Sequence, residues 1–276
     1  MERIDAHQHF WQFEPRRDAW LTDELAALRR DFRPADLAPL LQAHGFDGCV
    51  AVQADQSEQE TAFLLELAGQ HDFIRGVVGW VDLQAADVAA RLDYWQQFEL
   101  LKGFRHILQG EADRALMLTP AFRRGLAALY RHGFSYDLLI LPDQLGYAAE
   151  LADTFSTQPF VLDHLAKPFI KAGALEPWRR QLRELAAHEN VLCKVSGLVT
   201  EADWQGWQPA DFRPYLDAAF EAFGPRRLMF GSDWPVCRAA GGYGRAYALV
   251  EDYLCPFSAD EQRGFWGDNA AAFYRL

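Results

Sequence analysis

The sequence predicts an α/β fold, a single-domain (β/α)8 TIM barrel. Short apolar runs rich in β-branched residues recur along the 276 residues, and a segment with helical periodicity follows most of these runs. Polar residues gather where the runs end. Eight runs in a chain of this length give roughly 35 residues per βα unit, which is the period of such a barrel. We therefore expect one domain over residues 1–276.

The eight runs are predicted to be strands, in chain order. They cover residues 3–9, 48–53, 74–81, 101–106, 134–140, 160–164, 191–196 and 228–233. The helix after the second run should begin at Ser57, which has capping-box spacing to Glu60. Pro120 suits the first position of another helix. Further helices are expected over residues 85–98, 142–152 and 177–188, and no linker or internal repeat divides the chain.

A doubly wound open sheet shares this periodicity and is the alternative fold. Such a sheet concentrates its chemistry at one switch point, usually beside a glycine-rich first turn, and this chain has no Gly-x-Gly-x-x-Gly. In a barrel, by contrast, polar groups from the ends of several strands meet at one mouth. Residues of this kind end most of the predicted strands: His7, His9, Gln53, Trp80, Arg105, His106, Asp137, His164, Lys194 and Asp233.

Composition narrows the choice of partners and compartment. The net charge of -12, without any basic run, disfavours nucleic acid as a partner. No apolar stretch approaches the ~20 residues that span a bilayer, and the N-terminus lacks the apolar core of a signal peptide. The four cysteines show no metal-binding or redox spacing. We expect a cytoplasmic protein that acts on a small molecule away from membranes, and a homo-oligomer is left open.

The strongest candidate site begins at the first strand. His7 and His9 should project to the same side of an extended strand, because side chains alternate between its two faces. His164 ends the sixth predicted strand, and Asp233 ends the eighth. These four residues match a mononuclear site for Zn²⁺ or another divalent cation. They equally match a metal-free site in which Asp233 activates water and histidines stabilise an oxyanion.

Five phrases of the chain resemble the amidohydrolase superfamily and, within it, the sugar-lactonase branch. In chain order they are His7-Gln8-His9-Phe10-Trp11, Gly103-Phe104-Arg105-His106, Leu162-Asp163-His164-Leu165-Ala166-Lys167-Pro168, Lys194-Val195-Ser196-Gly197-Leu198 and Phe230-Gly231-Ser232-Asp233-Trp234-Pro235. The resemblance implies a barrel hydrolase of carbohydrate catabolism. Its reaction would open a sugar lactone, such as L-fucono- or L-rhamnonolactone, to the free aldonic acid.

The same resemblance implies roles for the site residues. Asp233 would be the base, and His7, His9 and His164 would surround the position of water or metal. Members with two metals carry a lysine or glutamate after the fourth strand and a histidine after the fifth, which this chain lacks, so the resemblance favours at most one metal. Lactonases of this branch do not depend strictly on one. A metal-dependent decarboxylase of the same superfamily is the main alternative activity.

The substrate contacts are predicted from residue type and position. Arg105 or His106 would polarise the carbonyl, and Gln53 would bind a sugar hydroxyl. Trp11, Trp80 and Trp234 are candidates for stacking on a sugar ring. Relatives that open aromatic-derived dicarboxylate lactones carry an arginine where Lys167 stands, which favours a neutral sugar over a carboxylated lactone. A sugar-binding barrel without activity is the alternative outside enzymes.

Overall fold

The computed structural model describes residues 2–276, and its eight strands form one parallel sheet in chain order. The strands are β1 (Ile4–Gln8), β2 (Gly48–Val52), β3 (Ile74–Gly79), β4 (Leu101–His106), β5 (Ser135–Leu138), β6 (Phe160–Leu162), β7 (Val191–Val195) and β8 (Leu228–Phe230). The main-chain N–H of Asp233 donates to His7 O at 2.9 Å, and that of His9 donates to Trp234 O at 2.7 Å. Because these bonds join the end of β1 to the segment that directly follows β8, the sheet curls into a nearly closed barrel, and the predicted fold is confirmed.

Helices surround the barrel. They are α1 (Pro34–Ala43), α2 (Glu58–Gln70), α3 (Val88–Trp95), α4 (Pro120–Arg131), α5 (Leu145–Thr154), α6 (Trp178–Ala186), α7 (Pro209–Phe223), α8 (Tyr243–Leu254), α9 (Ala259–Arg263) and α10 (Asn269–Tyr274). The start of α2 is as predicted, since Ser57 Oγ accepts from Glu60 N at 3.2 Å. The Glu60 carboxylate does not complete the box; it accepts from Ala54 N instead. None of the helices within residues 2–276 combines the length and the apolar character that crossing a bilayer requires.

Two apolar layers result from the alternation along the strands. Side chains on the outer face of the sheet, such as Phe104, Tyr136 and Phe160, pack in the large cluster beneath the helices. A smaller cluster fills the barrel: Ile4, Ala6, Val50, Val52, Val78, Val161, Met229, Ala270 and Tyr274. The last two belong to α10, which therefore closes the end of the barrel where the strands begin. The active site is therefore expected at the opposite end, where the strands end, as in other barrels of this kind.

A β-bulge in β1 determines where the first two histidines point. Asp5 pairs with Cys49 and Gln8 with Ala51, so β1 has one more residue than β2 between these pairs. Ile4 and Ala6 face the barrel interior, and strict alternation would turn His7 outwards. The extra residue reverses the alternation, as bulges do beside active sites. The Asp5 carboxylate holds this geometry by accepting from Ser232 N at 2.8 Å and from His7 N at 3.3 Å.

Candidate active site

Three imidazoles converge on the carboxylate of Asp233. Its Oδ1 lies 3.4 Å from His9 Nε2 and 3.9 Å from both His7 Nε2 and His164 Nε2. His7 Nε2 and His9 Nε2 are 3.2 Å apart, as expected for two side chains on one face. All four residues are buried. The structure thus brings together the four residues that the sequence singled out.

His164 and Asp233 are held in strained backbone. The sequence predicted them as the last residues of strands, but β6 ends two residues before His164 and β8 ends three residues before Asp233. Asp233 has φ +54°, and the four consecutive residues from His164 to Lys167 have φ between +51° and +57°. Left-handed backbone costs a non-glycine residue roughly 1–2 kcal/mol. Such strain is typical of active sites, where the surrounding structure maintains it.

Hydrogen bonds at Nδ1 fix the orientation of the His9 and His164 rings. His9 Nδ1 lies 2.7 Å from the carbonyl oxygen of Val52, so Nδ1 carries a proton and Nε2 is turned towards Asp233. His164 Nδ1 lies 2.8 Å from Ser196 Oγ. These partners leave the Nε2 atoms of both rings to face the shared centre.

A network of buried charges lies behind His7. Lys194 Nζ is 2.6 Å from Asp137 Oδ2, 3.0 Å from Asp163 Oδ1 and 3.1 Å from His7 Nδ1. Arg105 Nη1 donates to the other oxygen of Asp163 at 3.0 Å. Two cations thus face two carboxylates, and the network balances its own charge, as buried ions require.

The environment sets the protonation states. Burial lowers the pKa of His164 to about 4, although Asp233 opposes the shift. Burial alone would raise the pKa of Asp233, but the imidazoles of His164, His9 and His7 outweigh it and hold that pKa below its ordinary value. In the same way, Lys194, His7 and Arg105 overcome burial and hold the pKa of Asp163 well below its usual range. At neutral pH the site therefore has a neutral His164 and an ionised Asp233.

His9, His164 and Asp233 line a cavity of about 460 Å³, which suits a small molecule, and His7 is buried behind them. Its walls include three indoles, Trp11, Trp20 and Trp204. Lys167 and Glu201 also line it. Burial raises the pKa of Glu201, an effect that Lys167 opposes. The cavity thus combines apolar walls with a few convergent polar groups.

Comparison with known proteins identifies the family. A family model described as "Amidohydrolase" matches residues 4–276. The chain belongs to the amidohydrolase family. It is 45% identical over 285 residues to an L-fucono-1,5-lactonase of Burkholderia multivorans, covering 99% of this chain and 96% of that protein. It is 40% identical over 280 residues to an L-fucono-1,5-lactonase of Burkholderia ambifaria, covering 99% and 96%.

A solved structure resembles this chain over its full length. A crystal structure of an amidohydrolase from Burkholderia multivorans with bound zinc superposes with a TM-score of 0.96 and 45% identity, covering 100% of both chains. The sequence-based assignment to the amidohydrolases, including the resemblance to lactonases, is confirmed.

Some of the other predicted contact residues of this amidohydrolase line the cavity, and the rest lie outside its lining. Trp11 and Arg105 line the cavity. Gln53 lies behind Arg105: its Oε1 accepts from Nη2 at 3.0 Å, and its Nε2 donates to the main-chain oxygen at 3.3 Å. Gln53 is therefore placed to orient the guanidinium.

Trp80, His106 and Trp234 lie outside the lining of the cavity. His106 Nε2 is 2.7 Å from Glu111 Oε1, and Trp80 Nε1 donates to His106 Nδ1 at 3.4 Å. Trp234 is buried edge-on against Phe32, with ring centroids 5.3 Å apart. Strand alternation explains why His106 points out of the barrel, since its neighbour Arg105 points into it.

Several residues of the site were given no role from sequence alone. Trp20 and Trp204 come from loops, where position along the chain does not predict contact with a distant site. Asp163, Asp137 and Lys194 had a usable signal: each is a charged residue in or beside an apolar strand, and buried charges require partners. That signal predicts a buried network without specifying its pairs.

The donor atoms fit one divalent ion. Tetrahedral zinc with bonds of about 2.0–2.1 Å places its ligand atoms about 3.3 Å apart. The separations of 3.2 Å and 3.4 Å that His9 Nε2 makes with His7 and Asp233 agree with this, and those of 3.9 Å require a small inward movement. His7, His164 and Asp233 each offer a donor within 4.8 Å of the others, a group that does not include His9. Arg105 Nη1, 3.3 Å from His7 Nε2, would compete with the ion for that lone pair.

Proposed function

We propose that this amidohydrolase opens the ring of a neutral sugar lactone, of the L-fucono- or L-rhamnonolactone type, to give the free aldonic acid. The observation that carries the proposal is the ionised Asp233 carboxylate, ringed by three imidazoles, in a cavity with aromatic walls. The lactonase relatives that match the full chain support the same reaction. The four free cysteines favour the cytoplasm as its compartment.

Asp233 acts as the general base in the first step. It accepts a proton from water while the water oxygen bonds to the lactone carbonyl carbon, and the carbonyl electron pair moves to oxygen. Arg105, oriented by Asp163 and Gln53, supplies positive potential towards that oxyanion. A weak base suffices because a lactone carbonyl is a good electrophile.

The second step breaks the ring. The oxyanion re-forms the carbonyl, the bond to the ring oxygen breaks, and the proton held by Asp233 passes to the departing oxygen. The indoles of Trp11, Trp20 and Trp204 offer flat apolar faces to the carbon side of the sugar. A divalent ion held by His7, His9, His164 and Asp233 would lower the pKa of water and polarise the carbonyl.

A screen of aldonolactones with a pH indicator tests the proposal. Wild-type protein should release acid faster than spontaneous opening from at least one of L-fucono-, L-rhamnono- and galactonolactone, both before and after chelation. Asp233→Asn should lower kcat about 10²–10⁴-fold. Asp153→Asn, at an exposed position, is the matched control. Wild-type turnover by Asp233→Asn would refute the role of the base, and carbon dioxide release that chelation abolishes would identify a decarboxylase instead.

A further inference from the structure

The mechanism leaves one charged pair of the cavity unused. Lys167 Nζ lies 3.7 Å from Glu201 Oε1, and the two side chains are 23% and 22% exposed. Both residues line the cavity together with His164 and Asp233. They reach it from different loops, one after β6 and the other after β7.

The geometry of this pair does not suit a purely structural role. A separation of 3.7 Å is too long for a hydrogen bond. Partly exposed ion pairs of this kind typically contribute 0–1 kcal/mol. Within residues 2–276, neither head group forms a hydrogen bond, so both keep hydrogen-bonding capacity beside the cavity that they line.

The surrounding backbone positions the pair firmly. Lys167 ends the left-handed turn that begins at His164. The same strained segment therefore sets the positions of the Lys167 and His164 side chains. Glu201 ends a short 3₁₀ turn, Leu198–Glu201, in which Thr200 Oγ1 donates to Gly197 O at 2.7 Å. Trp204 Nε1 donates to Thr200 O at 2.8 Å. The short turn that carries Glu201 is therefore tied to Trp204, one of the indole walls.

We propose that Lys167 and Glu201 bind hydroxyl groups of the substrate and determine its specificity, an inference that rests on the proposed function. The carboxylate accepts hydrogen bonds from sugar hydroxyls, and the ammonium group donates to their oxygens. A carboxylated lactone is disfavoured, because the two cations of the cavity already face carboxylates: Lys167 faces Glu201, and Arg105 faces Asp163. Its acid group would also meet the charges of Glu201 and Asp233.

The test compares each variant on an aldonolactone and on analogues that lack one hydroxyl. For the full lactone, Glu201→Gln and Lys167→Met should raise KM about 10–100-fold while kcat stays nearly constant, the signature of lost uniform binding. For the analogue that lacks the bound hydroxyl, wild type and variant should have similar KM values. A carboxylated lactone should inhibit Glu201→Gln more strongly than wild type.

Exposed residues provide matched controls. Glu184→Gln and Lys171→Met make the same chemical changes away from the cavity, and both should leave KM unchanged. Thermal unfolding checks that each variant is folded, and the isosteric Glu201→Gln keeps the inference testable if Lys167→Met is unstable.

Two failures are distinguishable. If wild type opens aldonolactones but Glu201→Gln and Lys167→Met show its KM for every analogue, the specificity role is wrong and the proposed function stands. A loss confined to kcat would equally overturn it. If wild type opens no aldonolactone, the proposed function itself fails and this inference with it.

Discussion

The ring of His164 rests against Gly197 so closely that a Cβ on the glycine would lie 2.5 Å from Nδ1. The same Cβ would lie 3.2 Å from Asp233 Oδ2, and Gly197 has φ +62°. Both space and backbone conformation therefore require glycine here. This contact links the loop after β7 to His164 and Asp233, two of the four central residues of the site.

Gly197→Ala should displace His164 and lower kcat/KM about 10²-fold, because misplacing a catalytic group by an ångström has that effect. The left-handed conformation adds an expected loss of roughly 1–2 kcal/mol in the free energy of unfolding. Steady-state kinetics and urea unfolding check the two effects. Gly146→Ala is the control, because that exposed helical glycine has nothing within 4 Å of its Cβ. Full activity in Gly197→Ala would contradict the prediction.

Metal binding and hydrolysis should be separable. Purified wild type supplied with zinc should bind one ion per chain, measured by elemental analysis after desalting, and His9→Asn should lose most of it. His71 precedes β3, and its ring packs near Phe73. The control variant His71→Asn should bind zinc as wild type does.

After chelation the wild type should still turn over lactone at least 10-fold faster than Asp233→Asn, given the 10²–10⁴ expected of a general base. Equal rates for these two samples would show that hydrolysis requires the metal.

Lys194 should be essential for stability because it is buried between two carboxylates. Lys194→Met leaves Asp137 and Asp163 without their common cation, and the expected cost is about 3–5 kcal/mol of unfolding free energy. Adding Asp137→Asn should recover more than about 1 kcal/mol, since one unpaired charge is then gone and the amide oxygen can still accept from Tyr274 OH.

Urea unfolding of the two single variants and the double variant measures this coupling. Lys171→Met, at an exposed position, should stay within about 0.5 kcal/mol of wild type. Strictly additive effects of Lys194→Met and Asp137→Asn would show that the two residues do not interact.

The sequence predicted the barrel because each strand carries its own signal, a short apolar run before a helical segment. All eight runs overlap observed strands. The four central residues followed from the same reasoning, since strand ends of a barrel meet.

What the sequence did not predict depends on tertiary structure. The bulge in β1 rests on Asp5, whose partner Ser232 is 227 positions away. Four consecutive non-glycine residues in left-handed conformation have no local signature, so His164 was expected to end its strand. Trp20 and Trp204 reach the cavity only because long loops fold over it.

A buried glutamate should make stability depend on pH. Burial raises the pKa of Glu60 from 4.5 to about 7, while hydrogen bonds from the backbone of Ala54 and Asp55 oppose the shift. The folded state therefore binds more protons than the unfolded state between about pH 4.5 and pH 7, and stability from this group is lost as the pH rises through that window. The full loss of unfolding free energy is about 3 kcal/mol, since each pKa unit between the unfolded and folded states corresponds to about 1.36 kcal/mol.

Glu60→Gln should remove this loss, because the amide oxygen can accept from Ala54 N without carrying a charge. Urea unfolding at pH 5 and pH 8 measures it: the variant should gain roughly 1–3 kcal/mol relative to wild type at pH 8 and little at pH 5. Glu66→Gln, on the exposed face of the same helix, should change neither value. A Glu60→Gln protein that is less stable than wild type at pH 8 would show that the ionised carboxylate strengthens the turn more than its burial weakens it.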